Sequence, residues 1–232
     1  MDDVGRNRRD PTVAISSALI HFGMPVILLL TSVVVLLITA KWWIGLEYQL
    51  PGFPQDRYGF SLEDRLRWSA VDINFLLGVE EISYYDDFFL DDGSPMHNAR
   101  ELSHMQDVKD LVDLFKRVWL FGVVILITAA IVTWRRGGLK NLYESILKGS
   151  RLTFYVMITL GLLSLLAFGF LFVGFHRIFF EGNTWIFYYS DTFIRLYPER
   201  FWRDIIAYLA VFTLLEAGLI YLLARRWIKK NH

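Results

Sequence analysis

Two histidines stand where an acid–base reaction could be run. His104 lies in a polar, helix-patterned stretch that leads into an apolar run, and His176 closes another apolar run. Histidine takes up and releases a proton near neutral pH. Two of them at one face of a membrane could act on a lipid headgroup or a lipid ester. The plainer alternative is that both are amphipathic residues tolerated at an interface. Glu101, His104 and Asp107 are spaced three apart and share one helical face. Glu-x-x-His also occurs in di-metal carboxylate bundles, but it occurs once here, and no metal is expected. Glu101 has a simpler reading as the reciprocal partner of a helix cap at Asn98. Asp107 reads as a solvated residue or as a carboxylate that orients His104. The chain has no cysteine, which removes disulfides, thiolate metal sites and a cysteine nucleophile. It has no Gly-x-Ser-x-Gly elbow. Ser103 neighbours His104 in sequence but points in a different direction on a helix.

These residues need elements to carry them, and the composition says which kind. Of 232 residues, 54% are apolar, and the mean hydropathy is +0.37. That is too apolar for an ordinary soluble domain. Lys+Arg and Asp+Glu each number 24, so nothing in the net charge points to nucleic acid. A bilayer core needs about 20 apolar helical residues, and four segments answer to that: about 14–40, 114–134, 152–175 and 205–224. The first is too long for a signal-peptide core and lacks a clear cleavage site, so it reads as a retained anchor. Basic residues fill three flanks: Arg6, Arg8 and Arg9; Arg135, Arg136, Lys140, Lys148 and Arg151; and Arg225, Arg226, Lys229 and Lys230. The positive-inside rule makes all three cytoplasmic, and the termini with them. The segments 41–113 and 176–204 then face outward. Glu216, inside the fourth span, is a polar residue at membrane depth that calls for a role. His21 is its candidate structural partner.

The first outer segment is too long to be a mere connection. Ser61-Leu-Glu-Asp64 is a capping box for a helix that runs to about Leu77 and stops at Gly78. Ile82–Leu90 is aromatic and β-prone, and Asp91-Asp92-Gly93 reads as a turn, which suggests a short strand or ribbon. A second capping box, Asn98 with Glu101, opens a helix whose Met105, Val108, Val112, Phe115 and Trp119 recur at helical spacing into the second span. Lys116 and Arg117 would snorkel at the outer interface. The expected fold is mainly α: a single integral membrane domain built as a four-helix bundle, with a small mixed α/β extracytoplasmic cap between spans one and two. In the second outer segment, Asp191 could cap a helix starting at Thr192, and Arg195 could pair with the acidic cap or meet a headgroup. Its aromatic residues include ordinary interface anchors.

Three stretches carry a resemblance. "ARELSHMQDVKDL" (Ala99–Leu111), "FHRIFFEGNTWIFYYSDTFIRLYPERFWRD" (Phe175–Asp204) and "YGFSLEDRLRWS" (Tyr58–Ser69) resemble an integral membrane family that includes the bacterial lipoprotein intramolecular transacylase. The resemblance covers most of the chain. It implies an enzyme of the bacterial cytoplasmic membrane, with its active site at the outer leaflet. It also implies a diacylated lipoprotein as partner, within membrane lipid. The sn-2 acyl chain of the diacylglyceryl-cysteine would move to the cysteine α-amino group and leave a lyso-form lipoprotein. By motif, the family's two catalytic histidines fall on His104 and His176. No cofactor is implied. One histidine would remove a proton from the amine and the other would protonate the departing alkoxide; alternatively, one would carry the acyl group itself. Arg177, Asn183 and backbone amides are candidate oxyanion donors. Asn183, Trp185, Tyr188 and Tyr189 would wall the pocket, and Glu101, Asp107, Asp191 and Arg195 would support it. Two rival readings are another lipid-ester acyltransferase using the same histidines and a non-enzymatic membrane interaction protein.

Overall fold

A computed structural model describes residues 10–78 and 80–231. Arg6, Arg8 and Arg9 lie outside the described residues. Six α-helices follow in order: α1 Pro11–Ile38, α2 Ala40–Glu47, α3 Leu62–Leu77, α4 Ala99–Phe179, α5 Thr192–Leu196 and α6 Glu199–Asn231. Three of them, α1, α4 and α6, are long and apolar enough to cross a membrane.

The helix α4 is not one straight rod. At 1.5 Å per residue a straight helix would hold His104 and His176 roughly 100 Å apart, yet their rings are 6.0 Å apart. The reversal falls at Gly138, whose φ of 82° lies in the left-handed region that a residue with a Cβ rarely adopts. The helix therefore has two antiparallel arms.

The chain divides into two compact units. Among the described residues, the first comprises 10–32, 117–160 and 210–231. Its core is built on Ile20, Met24 and Ala129, with Leu126, Leu142 and Ile220 against them. Close packing depends on small residues, as is usual where lipid supplies no hydrophobic drive between helices. Hydroxyls pair across helices at depth: Thr133 Oγ1 donates to Ser16 Oγ at 2.7 Å, and Ser32 and Thr213 hydroxyls are 2.9 Å apart. A Cβ at Gly149 would come within 2.5 Å of Met24 Sδ and 3.1 Å of the Ile20 carbonyl oxygen. The thioether can yield, but the carbonyl cannot. Gly149→Val is therefore expected to destabilise by about 1–3 kcal/mol, read as a lower thermal midpoint in detergent. Gly161→Ala, where a Cβ meets nothing within 4 Å, serves as the neutral control.

The expected pairing of His21 with Glu216 is not formed. Glu216 Oε2 is buried without a hydrogen-bond partner, and the His21 ring stacks on its neighbour Phe22 at 4.4 Å. Rotation of a membrane helix is set by its packing, which position along the sequence does not report.

The second unit comprises residues 33–116 and 161–209. Its core joins Trp68, Phe75 and Leu76 of α3 to Met96, Met105, Leu196 and Phe201. The helix α3 begins at the Ser61 capping box, in which Ser61 Oγ accepts from the Asp64 amide and the Asp64 carboxylate accepts from the Ser61 amide. Gly78 ends it in an extended conformation. Its terminal carbonyls are met by a cation, as the helix dipole favours: buried Lys109 Nζ donates to Phe75 O at 2.6 Å and to Gly78 O at 2.9 Å. Lys116 Nζ also reaches Leu76 O, at 3.4 Å, and pairs with Asp113 at 3.1 Å.

The mixed α/β cap expected from the sequence is corrected here. Among the described residues there is no strand. Ile82–Asp87 forms a 3₁₀ helix, and the only trace of a ribbon is an isolated antiparallel bridge between Phe89 and Pro95 around the Asp91–Gly93 turn. The aromatic residues that looked β-prone pack on one side instead. Tyr84 and Tyr85 both lie against Phe75, with centroids 6.4 and 5.0 Å away. A strand would have sent these two neighbours to opposite faces.

Candidate active site

The first turns of α4 and the last turn of its second arm bring His104 and His176 together. The Asn98 cap fixes the start: its side chain accepts from the Arg100 and Glu101 amides, and Glu101 reaches back to the Asn98 amide. The two imidazoles are stacked, with centroids 6.0 Å apart and planes 23° off parallel. Each residue is only 8% exposed. The surroundings are aromatic. Phe180 stands edge-on to His104 at 4.8 Å, Phe187 lies 5.4 Å from it, and Trp185 lies 4.9 Å from His176.

Hydrogen bonding fixes one tautomer. His176 Nδ1–H donates to the Phe172 carbonyl at 2.7 Å. In the neutral ring Nε2 then carries the lone pair, so it is the basic atom. Burial pushes the His176 pKa below the ordinary histidine value, opposed by that carbonyl. Burial, followed by repulsion from His176, lowers His104 to about 4. Both rings are therefore neutral at physiological pH, and a charge on one opposes a charge on the other. Such a pair can hold one extra proton at a time.

Two polar atoms at the pair have no partner. His104 Nδ1 and Trp185 Nε1 are both buried without a hydrogen bond.

Other candidates from the sequence are accounted for differently. Glu101 is buried, and its Oε1 accepts from the Phe193 amide at 2.7 Å, so both its oxygens serve the backbone. Asp107 Oδ2 accepts from Thr184 Oγ1 at 3.1 Å and does not orient His104. Both carboxylates tie the segment between α4 and α6 to the start of α4. Asp191 does not cap α5 with its side chain. It is drawn back to α4, accepting from Arg100 at 2.9 Å and Asn98 at 3.2 Å, and also from the Tyr188 amide at 2.8 Å. Arg195 pairs with Asp56 at 3.1 Å and lies over the Phe60 ring. Arg177 and Asn183 are exposed, as are Tyr188 and Tyr189.

Behind the pair lies a buried cluster that the sequence did not announce. His97 Nε2 is 2.9 Å from Asp72 Oδ1, and its Nδ1 is 3.8 Å from Glu101. Asp72 also accepts from Tyr85 at 3.0 Å and Tyr197 at 2.8 Å. The His97 ring stacks on Phe193 at 4.7 Å, and Phe193 stands edge-on to His104 at 6.0 Å. A signal for Asp72 exists: it shares a helical face with Trp68, Phe75 and Leu76. Among the described residues, no group of three or more His, Asp or Glu side chains is arranged to hold a metal ion.

Comparison with known proteins gives concordant results. A family model described as lipoprotein intramolecular transacylase Lit matches residues 18–202. An uncharacterized protein of Aquifex aeolicus (strain VF5) is 27% identical over 197 residues, covering 81% of this chain and 85% of that protein. The fold is similar to that of the membrane integral lipoprotein intramolecular transacylase Lit from Bacillus cereus. The TM-score is 0.80 at 20% identity, covering 94% of this chain and 97% of that one. A histidine-to-alanine variant of the same Bacillus cereus protein gives a TM-score of 0.74 at 21% identity, covering 94% of each chain.

Proposed function

Because the chain belongs to the lipoprotein intramolecular transacylase family, we propose that it moves the sn-2 acyl chain of a diacylglyceryl-cysteine lipoprotein to the cysteine α-amino group. The observation that carries the mechanism is the buried, stacked histidine pair, one member of which has its tautomer fixed. The α-amine, with an ordinary pKa of about 7.7–8, attacks the ester carbonyl as its free base. His176 Nε2 takes the proton that the amine loses as the new N–C bond forms. The resulting imidazolium returns that proton to the sn-2 glycerol oxygen as the C–O bond breaks. His104 stays neutral beside it and holds the substrate through its ring nitrogens. Its neutrality matters, because a second charge would oppose the imidazolium. Amine and ester belong to one molecule, so orientation by the aromatic wall supplies a large part of the rate.

The topology follows from charge. With α4 reversing at Gly138, the chain passes the bilayer four times as a four-helix bundle. The Arg135–Arg151 and Arg225–Lys230 flanks lie on the cytoplasmic side. The histidine pair then acts at the outer leaflet of the bacterial cytoplasmic membrane, where lipidated N-termini reside.

The test is expression in a bacterium that makes diacylglyceryl lipoproteins but has no such transacylase. Fragmentation mass spectra of one lipoprotein's N-terminal peptide are expected to place one acyl chain on nitrogen and leave one on glycerol. An unchanged diacylglyceryl peptide from a well-expressed protein would sink the proposal.

A further inference from the structure

A donor aimed at the reacting carbonyl is still to be found. Attack by the amine moves the carbonyl π pair onto oxygen, and that oxyanion must be held until the C=O bond re-forms and the glycerol oxygen leaves. The two side-chain donors named from sequence, Arg177 and Asn183, are exposed, whereas the histidine pair is buried. Resting on the transacylase reading above, we propose that the indole N–H of Trp185 is an oxyanion donor of this site.

The indole nitrogen is a donor only; it has no lone pair to offer. Buried N–H groups of this kind normally have a partner, and leaving one without costs free energy. Trp185 Nε1 is buried and has none. Its ring lies 4.9 Å from the ring of His176, the residue whose Nε2 is left basic. An unpaired donor beside the base is what a developing oxyanion requires, because the electrostatic gain comes from donors fixed before the charge appears. The segment that carries Trp185 is also held from both sides. Thr184, the residue before it, donates to Asp107 of α4. The Ile186 amide, the residue after it, donates to the Asn183 carbonyl at 3.1 Å and closes a turn. The unpaired state of the indole therefore persists in a well-anchored turn. The aromatic residues around it that serve only as wall, such as Phe180 and Phe187, have no polar atom to leave unpaired.

The role separates from packing by removing the N–H while keeping the ring. Trp185→Phe keeps an aromatic ring, and Trp185→benzothienylalanine keeps the bicyclic shape with sulfur in place of N–H. Each is purified in detergent, checked for an unchanged thermal midpoint, and assayed on a synthetic diacylglyceryl-cysteine peptide with the N-acyl product quantified by mass spectrometry. Both variants are expected to lose about 10²–10³-fold in kcat with KM nearly unchanged. A benzothienylalanine variant within about threefold of the wild-type kcat overturns the inference, whatever the phenylalanine variant does, because the donor is then dispensable. A loss confined to KM overturns it as well, since it reports ground-state binding. A wild-type protein that makes no N-acyl product overturns the transacylase reading and this inference with it.

Discussion

His176→Ala is expected to lower kcat for N-acylation by about 10³-fold or more while the protein stays folded. The magnitude follows from what the residue does: general acid–base catalysis by one positioned group contributes roughly 10²–10⁴-fold. In the mechanism proposed above, His176 serves both halves of the reaction. There it removes the amine proton and then protonates the alkoxide, so its loss would stop both steps. His104→Ala removes the neutral neighbour and a stacking surface, so its loss falls toward the lower end of that range. The double variant is expected to be no worse than a few-fold below His176→Ala alone, because residues that act as a unit are strongly non-additive. Either single variant with wild-type kcat would break the mechanism.

The same chemistry sets the pH profile. Burial holds both imidazoles below the ordinary histidine range, His104 at about 4. The proposed base is therefore in its active, unprotonated form at neutrality, and its titration lies on the acid side of an ordinary histidine. The amine remains largely protonated until about pH 7.7–8. The expected kcat/KM rises with pH through that amine value, and any histidine inflection falls below 6.5. A profile that inflects near 6.5 in the wild type and loses the inflection in His176→Ala would contradict the desolvated pair.

What the sequence makes legible here is local. Ser61 with Asp64 and Asn98 with Glu101 sit three residues apart, and a capping box needs nothing beyond that spacing. The run from Met105 to Trp119 shows its helical period directly. His104 and His176 stand out because each terminates or leads into an apolar run. What escaped is set by contacts between distant segments. Tyr84 and Tyr85 have strand propensity, but such propensity is weaker than the packing they gain against Phe75. Asp191 has the type and place of a helix cap, yet Arg100 and Asn98 from α4 claim its oxygens. His97 looks like a loop residue in sequence. Its importance arises only when α3, α4 and α5 meet around it.

That meeting point carries the largest expected effect on stability. Asp72 is 1% exposed and satisfies His97, Tyr85 and Tyr197 at once. Removing one partner of a buried pair leaves the other uncompensated, at a cost of about 3–5 kcal/mol. Asp72→Ala is thus expected to drop the thermal midpoint by on the order of 10 °C. The signature is in the combination. Asp72→Asn with His97→Gln is expected to be less damaging than Asp72→Asn alone, because the stranded imidazole is gone. The pH dependence has a definite sign. Burial disfavours a charged His97, but Asp72 and Glu101 outweigh it and raise the pKa to about 9 from 6.5. A raised histidine binds its proton more tightly when folded, so its contribution is complete below pH 6.5 and lost as pH rises through about 9. On this account the wild type loses stability between those values, by on the order of 3 kcal/mol, and Asp72→Asn loses far less over the same window. The loss also reaches the active site, because Phe193 lies between His97 and His104 and its amide is held by Glu101. A milder variant, His97→Gln, is expected to reduce N-acylation in step with the loss of fold. If transacylation fell many-fold at a temperature where the variant remains fully folded, the cluster would be positioning His104 and not merely supporting the fold.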